Sequence, residues 1–129
     1  MKLTKILTLV AVCLVFPIAG ALHAGDSKSF LASYEKVRAA LAADNLADAK
    51  KASAELGEPG AAIAKSETLD SARLGFAQLS DEAIKAASGQ PGYYVMHCPM
   101  LKKDWVQTSK QVSNPYGGKD MVTCGEIKG

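Results

Sequence analysis

The sequence predicts an α+β domain: a helical bundle or hairpin platform followed by a small C-terminal antiparallel strand-and-loop unit. Apolar residues recur at helical spacing from about residue 27 to residue 87. From Gly89 onward the pattern changes to aromatic and β-branched runs punctuated by Gly, Pro and Asn. A pair of cysteines, Cys98 and Cys124, lies wholly within this second region.

The first segment, 1–24, has the layout of a cleaved signal peptide. Lys2 and Lys5 precede an apolar run from Ile6 to Ile18, and small residues follow near Ala19–Ala24. That run is shorter than the roughly 20 residues of a membrane span. Ala19-Gly20-Ala21 is the best A-x-A match, and a cut after Ala24 is the other option. Cys13 falls inside the run and has no role in the exported chain. Residues 25–129 then form one small exported domain with a modest core and no stable membrane span.

Phe30, Tyr34, Val37 and Leu41 make one apolar stripe on a helix from about Ser27 to Ala43. Asp44 is placed to cap a second helix whose face carries Leu46, Ala49, Ser53 and Leu56. Gly57, Pro59 and Gly60 break that pattern, and a short helical or irregular piece follows from Ala61 to Glu67. Leu69, Ala72, Phe76, Leu79 and Ala83 mark a further helix to about Ala87, with a local recapping point at Ser80. Alanine-rich faces let helices approach closely but supply little apolar area. Stability therefore leans on the few large residues and on whatever closes the C-terminal segment.

Gly89-Gln90-Pro91-Gly92 ends the helix, and Tyr93, Tyr94 and Val95 favour a strand running into Met96, His97 and Cys98. Second and third strands are expected at Trp105–Thr108 and within Met121–Ile127, in a strand- and loop-rich unit spanning 93–127. Between them, Ser113-Asn114-Pro115-Tyr116-Gly117-Gly118 is a turn-forming run, with the Asn114 side chain set to bond nearby backbone.

Charge excludes a polyanion partner. Losing Lys2 and Lys5 brings the 15 basic residues down to the level of the 13 acidic ones, and only Arg38 and Arg73 carry guanidinium groups. No nucleic-acid stripe results. Catalysis has no motif either: the chain lacks a Gly-rich phosphate loop and a serine nucleophile motif, and Cys98 and Cys124 lack C-x-x-C spacing. The sequence reads as a non-enzyme.

Cys98, Cys124, Met100, Met121 and His97 are the candidate metal ligands. Thiolates and thioethers select soft ions such as Cu(I) or Ag(I), and a thioether binds without losing a proton. Zinc is the weaker match, because one histidine and two cysteines need a further ligand from Asp104, Asp120 or water. Strand alternation places Met96 and Cys98 on one face and His97 on the other, unless Pro99 turns the strand there. In an exported chain the same cysteines can instead form a disulfide. Closing a loop of that span contributes roughly 3.5 kcal/mol by chain entropy. The alternative reading is accordingly a disulfide-stabilised, non-catalytic interaction or structural module, with a recognition surface around Trp105, Asn114 and Tyr116. Trp105 and Tyr116 are otherwise packing residues between platform and loops.

Tyr34, Leu41, Ala42 and Asp44, then Arg73, Phe76, Leu79 and Ser80, lead into His97-Cys98-Pro99-Met100, Trp105, Asn114-Pro115-Tyr116-Gly117, Met121 and Cys124-Gly125. This arrangement resembles a small periplasmic domain of unknown function found alone and at the C-terminus of some copper/silver efflux membrane-fusion proteins. The chain departs from that pattern in a shortened helical region around 57–66 and in Leu101-Lys102-Lys103-Asp104, which replaces a smaller, glycine-containing link. The resemblance implies copper handling or heavy-metal resistance, with a periplasmic efflux component or metallochaperone as partner.

Overall fold

The computed structural model describes residues 24–129; the expected signal peptide lies outside them except for Ala24. Four α-helices, α1 (Ala24–Ala42), α2 (Leu46–Ala54), α3 (Ala61–Ala64) and α4 (Leu69–Ala87), precede three strands, β1 (Tyr94–Cys98), β2 (Lys103–Gln107) and β3 (Glu126–Ile127). The sheet is antiparallel in the order β2-β1-β3 and remains open. The α+β class and the division into helical platform and closing strand unit are as the sequence predicts.

The helices form for the reasons their spacing gives. Leu31, Tyr34, Val37 and Leu41 of α1 and Phe76, Leu79 and Ala83 of α4 are buried in one core with Ile63 of α3. Buried alanines at 40, 49, 52, 72 and 87 fill the spaces between the larger side chains. Tyr34 stacks on Phe76 at 4.9 Å between ring centroids. The core thus centres on aromatic rings contributed by two helices.

Several boundaries differ from the sequence expectation, each for a local reason. Asp44 does not cap α2; it closes α1. Its φ is +56°, and the N–H groups of Asp44 and Asn45 bond the carbonyls of Leu41 and Ala40 at 3.1 and 2.9 Å, which is a Schellman ending. The short polar side chain of Asp tolerates that left-handed conformation better than most. Asn45 is the cap of α2, its Oδ1 accepting the Asp48 N–H at 3.0 Å. Leu56 lies beyond the helix but still packs against the core. Ser80 does not recap α4, which runs unbroken to Ala87. Instead its hydroxyl is buried between two tyrosines, bonding Tyr34 at 2.8 Å and Tyr116 at 3.1 Å.

In the sheet, β2 begins at Lys103, two residues before the predicted start, because Cys98 pairs with Lys103 and His97 with Asp104 across a tight link. Lys102 makes that link by adopting φ +52°. The predicted third strand shrinks to two residues, and Gly118–Met121 forms a 3₁₀ turn. Gly118 has φ +59° there, and a Cβ on it would run into the Asp44 carboxylate, so glycine is required.

The outer edge of β2 meets the helices. Tyr34 Oη accepts the Val106 N–H at 3.2 Å, and Tyr116 Oη donates to the Asp104 carbonyl at 3.2 Å. These are alternate residues of one strand, so both groups point away from β1. Tyr34, Ser80 and Tyr116 therefore seam the platform to the sheet with hydroxyls.

Candidate functional site

The site begins with strand alternation. Met96 pairs with Trp105 and Cys98 with Lys103, and Met96, Cys98 and Trp105 are all fully buried on one face of the sheet. The loop that follows β2 covers this face. Gln107, also buried, organises that loop: its amide nitrogen Nε2 donates to the carbonyls of Ser109 and Gln111, while Oε1 accepts from Trp105 Nε1 and Ser113 N–H. The sequence gives Gln107 no distinguishing mark.

From there the chain returns through the Asn114-Pro115-Tyr116-Gly117 turn to Cys124. Arg38 donates to the Ser113 carbonyl at 2.9 Å and Arg73 to the Pro115 carbonyl at 2.8 Å, so both guanidinium groups grip the turn on either side of Asn114. Each is itself held, Arg38 by Glu35 and Arg73 by Asp44 at 2.6 Å and the Leu41 carbonyl. Cys124 N–H bonds the Met121 carbonyl at 2.9 Å. Gly125 passes against the Trp105 indole, where a Cβ would lie 2.8 Å from the ring.

The outcome is a cysteine pair. Cys98 and Cys124 are free thiols with sulphurs 2.7 Å apart, inside the contact distance of two non-bonded sulphurs and within reach of covalent closure. Burial acts to raise the Cys98 pKa, but hydrogen bonds from Cys124, from the Leu101 and Met100 N–H groups and from the Asn114 side chain outweigh it, and the net shift is downward. Cys124 is pushed up, first by its bond to Cys98 and then by burial.

The methionines enter through their backbone and position. The Met100 N–H points at both sulphurs, while its side chain is 76% exposed at the turn beyond Cys98. Met121 is half-buried, one 3₁₀ turn before Cys124. His97 is on the opposite face from Cys98, as alternation requires. Its Nδ1 bonds Asp104 Oδ1 at 2.6 Å, and Asp104 Oδ2 takes Lys128 at 2.6 Å. Burial acts to raise the Asp104 pKa, but the Lys128 and His97 bonds leave it net lowered. The structure brings Cys98 and Cys124 together, keeps Met100 and Met121 in the adjoining turns, and turns His97 into a separate cleft with Ala77, Asp81 and Lys103.

Among the described residues, no three His, Cys, Asp or Glu side chains converge as a metal-holding group. Any site at the cysteine pair would therefore rest on two cysteine sulphurs, donors that suit a soft ion. Among the described residues, no helix is long and apolar enough to cross a membrane. No protein-family model, curated protein or solved structure matches the chain.

Proposed function

We propose that the domain is a periplasmic Cu(I)/Ag(I)-binding accessory protein that buffers the metal or passes it to an efflux component or metallochaperone, with the ion as cargo and no catalysis. The observation that carries this reading is the meeting of Cys98 and Cys124 above the Met100 and Leu101 N–H groups. Such donors stabilise a thiolate, which is the form that binds metal. Cys98 and Cys124 are the principal ligands, and the exposed Met100 supplies a neutral sulphur where an incoming ion or partner arrives. Met121 completes the set from the other turn. His97, bonded to Asp104 on the far face, takes no part in the resting arrangement. The resemblance to the domain of copper/silver efflux proteins supports the same assignment and the periplasmic location.

Anaerobic Cu(I) titration of the reduced domain against a chelating competitor tests the proposal. One equivalent bound, lost on replacing both cysteines with serine, is the expected result. Binding no tighter than that of the double variant overturns it.

A second reading is favoured by the short sulphur separation: Cys98 and Cys124 close as a structural disulfide in an oxidising compartment. Intact mass with and without thiol alkylation separates the two. A two-hydrogen deficit with no labelling establishes the staple, and two labelled cysteines with retained metal establish the first reading.

A further inference from the structure

We infer that Asn114 is the positioning residue of the two-sulphur site, joining both cysteines to the loop turn through one fully satisfied side chain; this rests on the metal-binding reading above. Asn114 is completely buried. Its Oδ1 accepts the Tyr116 N–H at 2.8 Å and the Gly117 N–H at 3.0 Å, which folds the turn. Its Nδ2 donates to the Cys124 carbonyl at 2.8 Å and reaches the Cys98 sulphur. An amide offers two donors and two acceptor positions, so every capacity of this side chain is used. The backbone N–H of Asn114 adds a bond to the Val122 carbonyl at 2.8 Å.

The two ends of the amide do different work. The oxygen serves the turn, and the nitrogen serves the cysteines, through the Cys124 backbone carbonyl and the Cys98 sulphur. The arginine bonds to Ser113 and Pro115 hold the backbone on either side, so the position of the amide is set by the helical platform. It fixes where Cys124 stands and offers Cys98 an N–H that strengthens as negative charge collects on the sulphur. Asn114 acts through the ligands and touches no metal itself, as do the residues that orient ligands elsewhere in metal sites.

Asn114→Asp separates the two ends. It keeps the acceptor oxygen for Tyr116 and Gly117 but replaces the sulphur-side donor with an acceptor. The measurement is Ag(I) affinity of the reduced domain by chelator competition, with thermal unfolding of the same samples. Gln107→Ala, a buried loop-organising change with no contact to either sulphur, calibrates what lost loop stability alone does to affinity. Asn114→Asp is expected to weaken Ag(I) binding at least tenfold more than Gln107→Ala. Because Asn114→Asp can fail to fold, the native domain supplies a second measurement: the Asn114 side-chain amide resonances, followed by NMR during Ag(I) titration, are expected to shift in step with Cys98 and Cys124. Equal affinity losses in the two folded variants, or an amide unmoved while the cysteine signals respond, overturns the role of Asn114. Failure of the native domain to bind Ag(I) at all overturns the metal reading and this role with it.

Discussion

Residues 24–87 are held by side chains packing on side chains, with Leu31, Tyr34, Val37, Leu41, Phe76 and Leu79 set among alanines. Residues 93–129 are held largely by single polar side chains bonding backbone: Gln107 spans the loop to Ser113, Asn114 spans the turn to Cys124, and Arg38 and Arg73 reach in from the platform. The difference follows from composition. Helices satisfy their own backbone and need only a buried stripe, whereas a loop-rich unit of three short strands has many amides that must find partners elsewhere. The platform gains from area, and the closing unit gains from hydrogen-bond completeness. Among the described residues, no buried side-chain nitrogen or oxygen is left without a partner.

Removing the closing unit is the severest break. Deleting residues 93–129 strips the cover from Tyr34 and Phe76 and removes the Val106 partner of Tyr34 and the Tyr116 partner of Ser80; the remaining helices are expected to lose cooperative unfolding in circular dichroism melts. A retained sharp transition would show that the platform is self-sufficient. At the next level, Trp105→Ala and Phe76→Ala remove one large buried ring from each region, and each is expected to cost about 3–5 kcal/mol in denaturant unfolding. Trp105→Ala should carry the larger loss of loop protection in hydrogen exchange, because the indole N–H also anchors Gln107.

The seam between the regions comes next. Tyr34→Phe keeps the ring but removes the acceptor of the Val106 N–H and the partner of Ser80, an expected loss of about 1–3 kcal/mol. Asn45→Ala touches the platform alone: loss of the α2 cap should cost about 1 kcal/mol and leave exchange in 93–129 unchanged.

The mildest test is acid. Arg73 and the Lys119 N–H hold the Asp44 pKa below the ordinary carboxylate value. A group with a depressed folded pKa contributes stability that is complete above its unfolded value, about 3.9, and is lost as pH falls through the folded one. Thermal midpoints of the native domain are therefore expected to fall below about pH 4, and Asp44→Asn should flatten that limb while lowering the midpoint at neutral pH. An unchanged acid limb in the variant would assign the acid sensitivity to Asp104 instead.

The same contrast explains what could be read from the chain before folding. Helical stripes are local, and Tyr34, Leu41, Phe76 and Leu79 are core residues as their spacing predicts. The alternation of Met96, His97 and Cys98 is equally local, and it correctly separates the histidine from the cysteine. The pairing of Cys98 with Cys124 was legible as a possibility, since the two cysteines of residues 25–129 have only each other as partners within the chain. What was hidden depends on partners far along the chain. Ser80 reads as a capping serine until two tyrosines arrive from residues 34 and 116. Asp44 and Asn45 are both good caps by chemistry, and only the Schellman bonds and the Arg73 pair decide which helix each serves. Arg38 and Arg73 look like unremarkable surface charges until their guanidinium groups are found on the turn carbonyls.

The hydroxyls along β2 have a consequence for how molecules of this protein meet one another. A sheet edge with vacant N–H and C=O groups is a template on which a second chain can add a strand, and repeated addition leads to fibrous aggregates. Here the Val106 N–H and the Asp104 carbonyl are already taken by Tyr34 and Tyr116, and on the far side β3 pairs through only two residues. Tyr34 and Tyr116 thus cap the outer edge of β2 as well as packing against it, and unseating them is expected to offer neighbouring molecules a strand to copy.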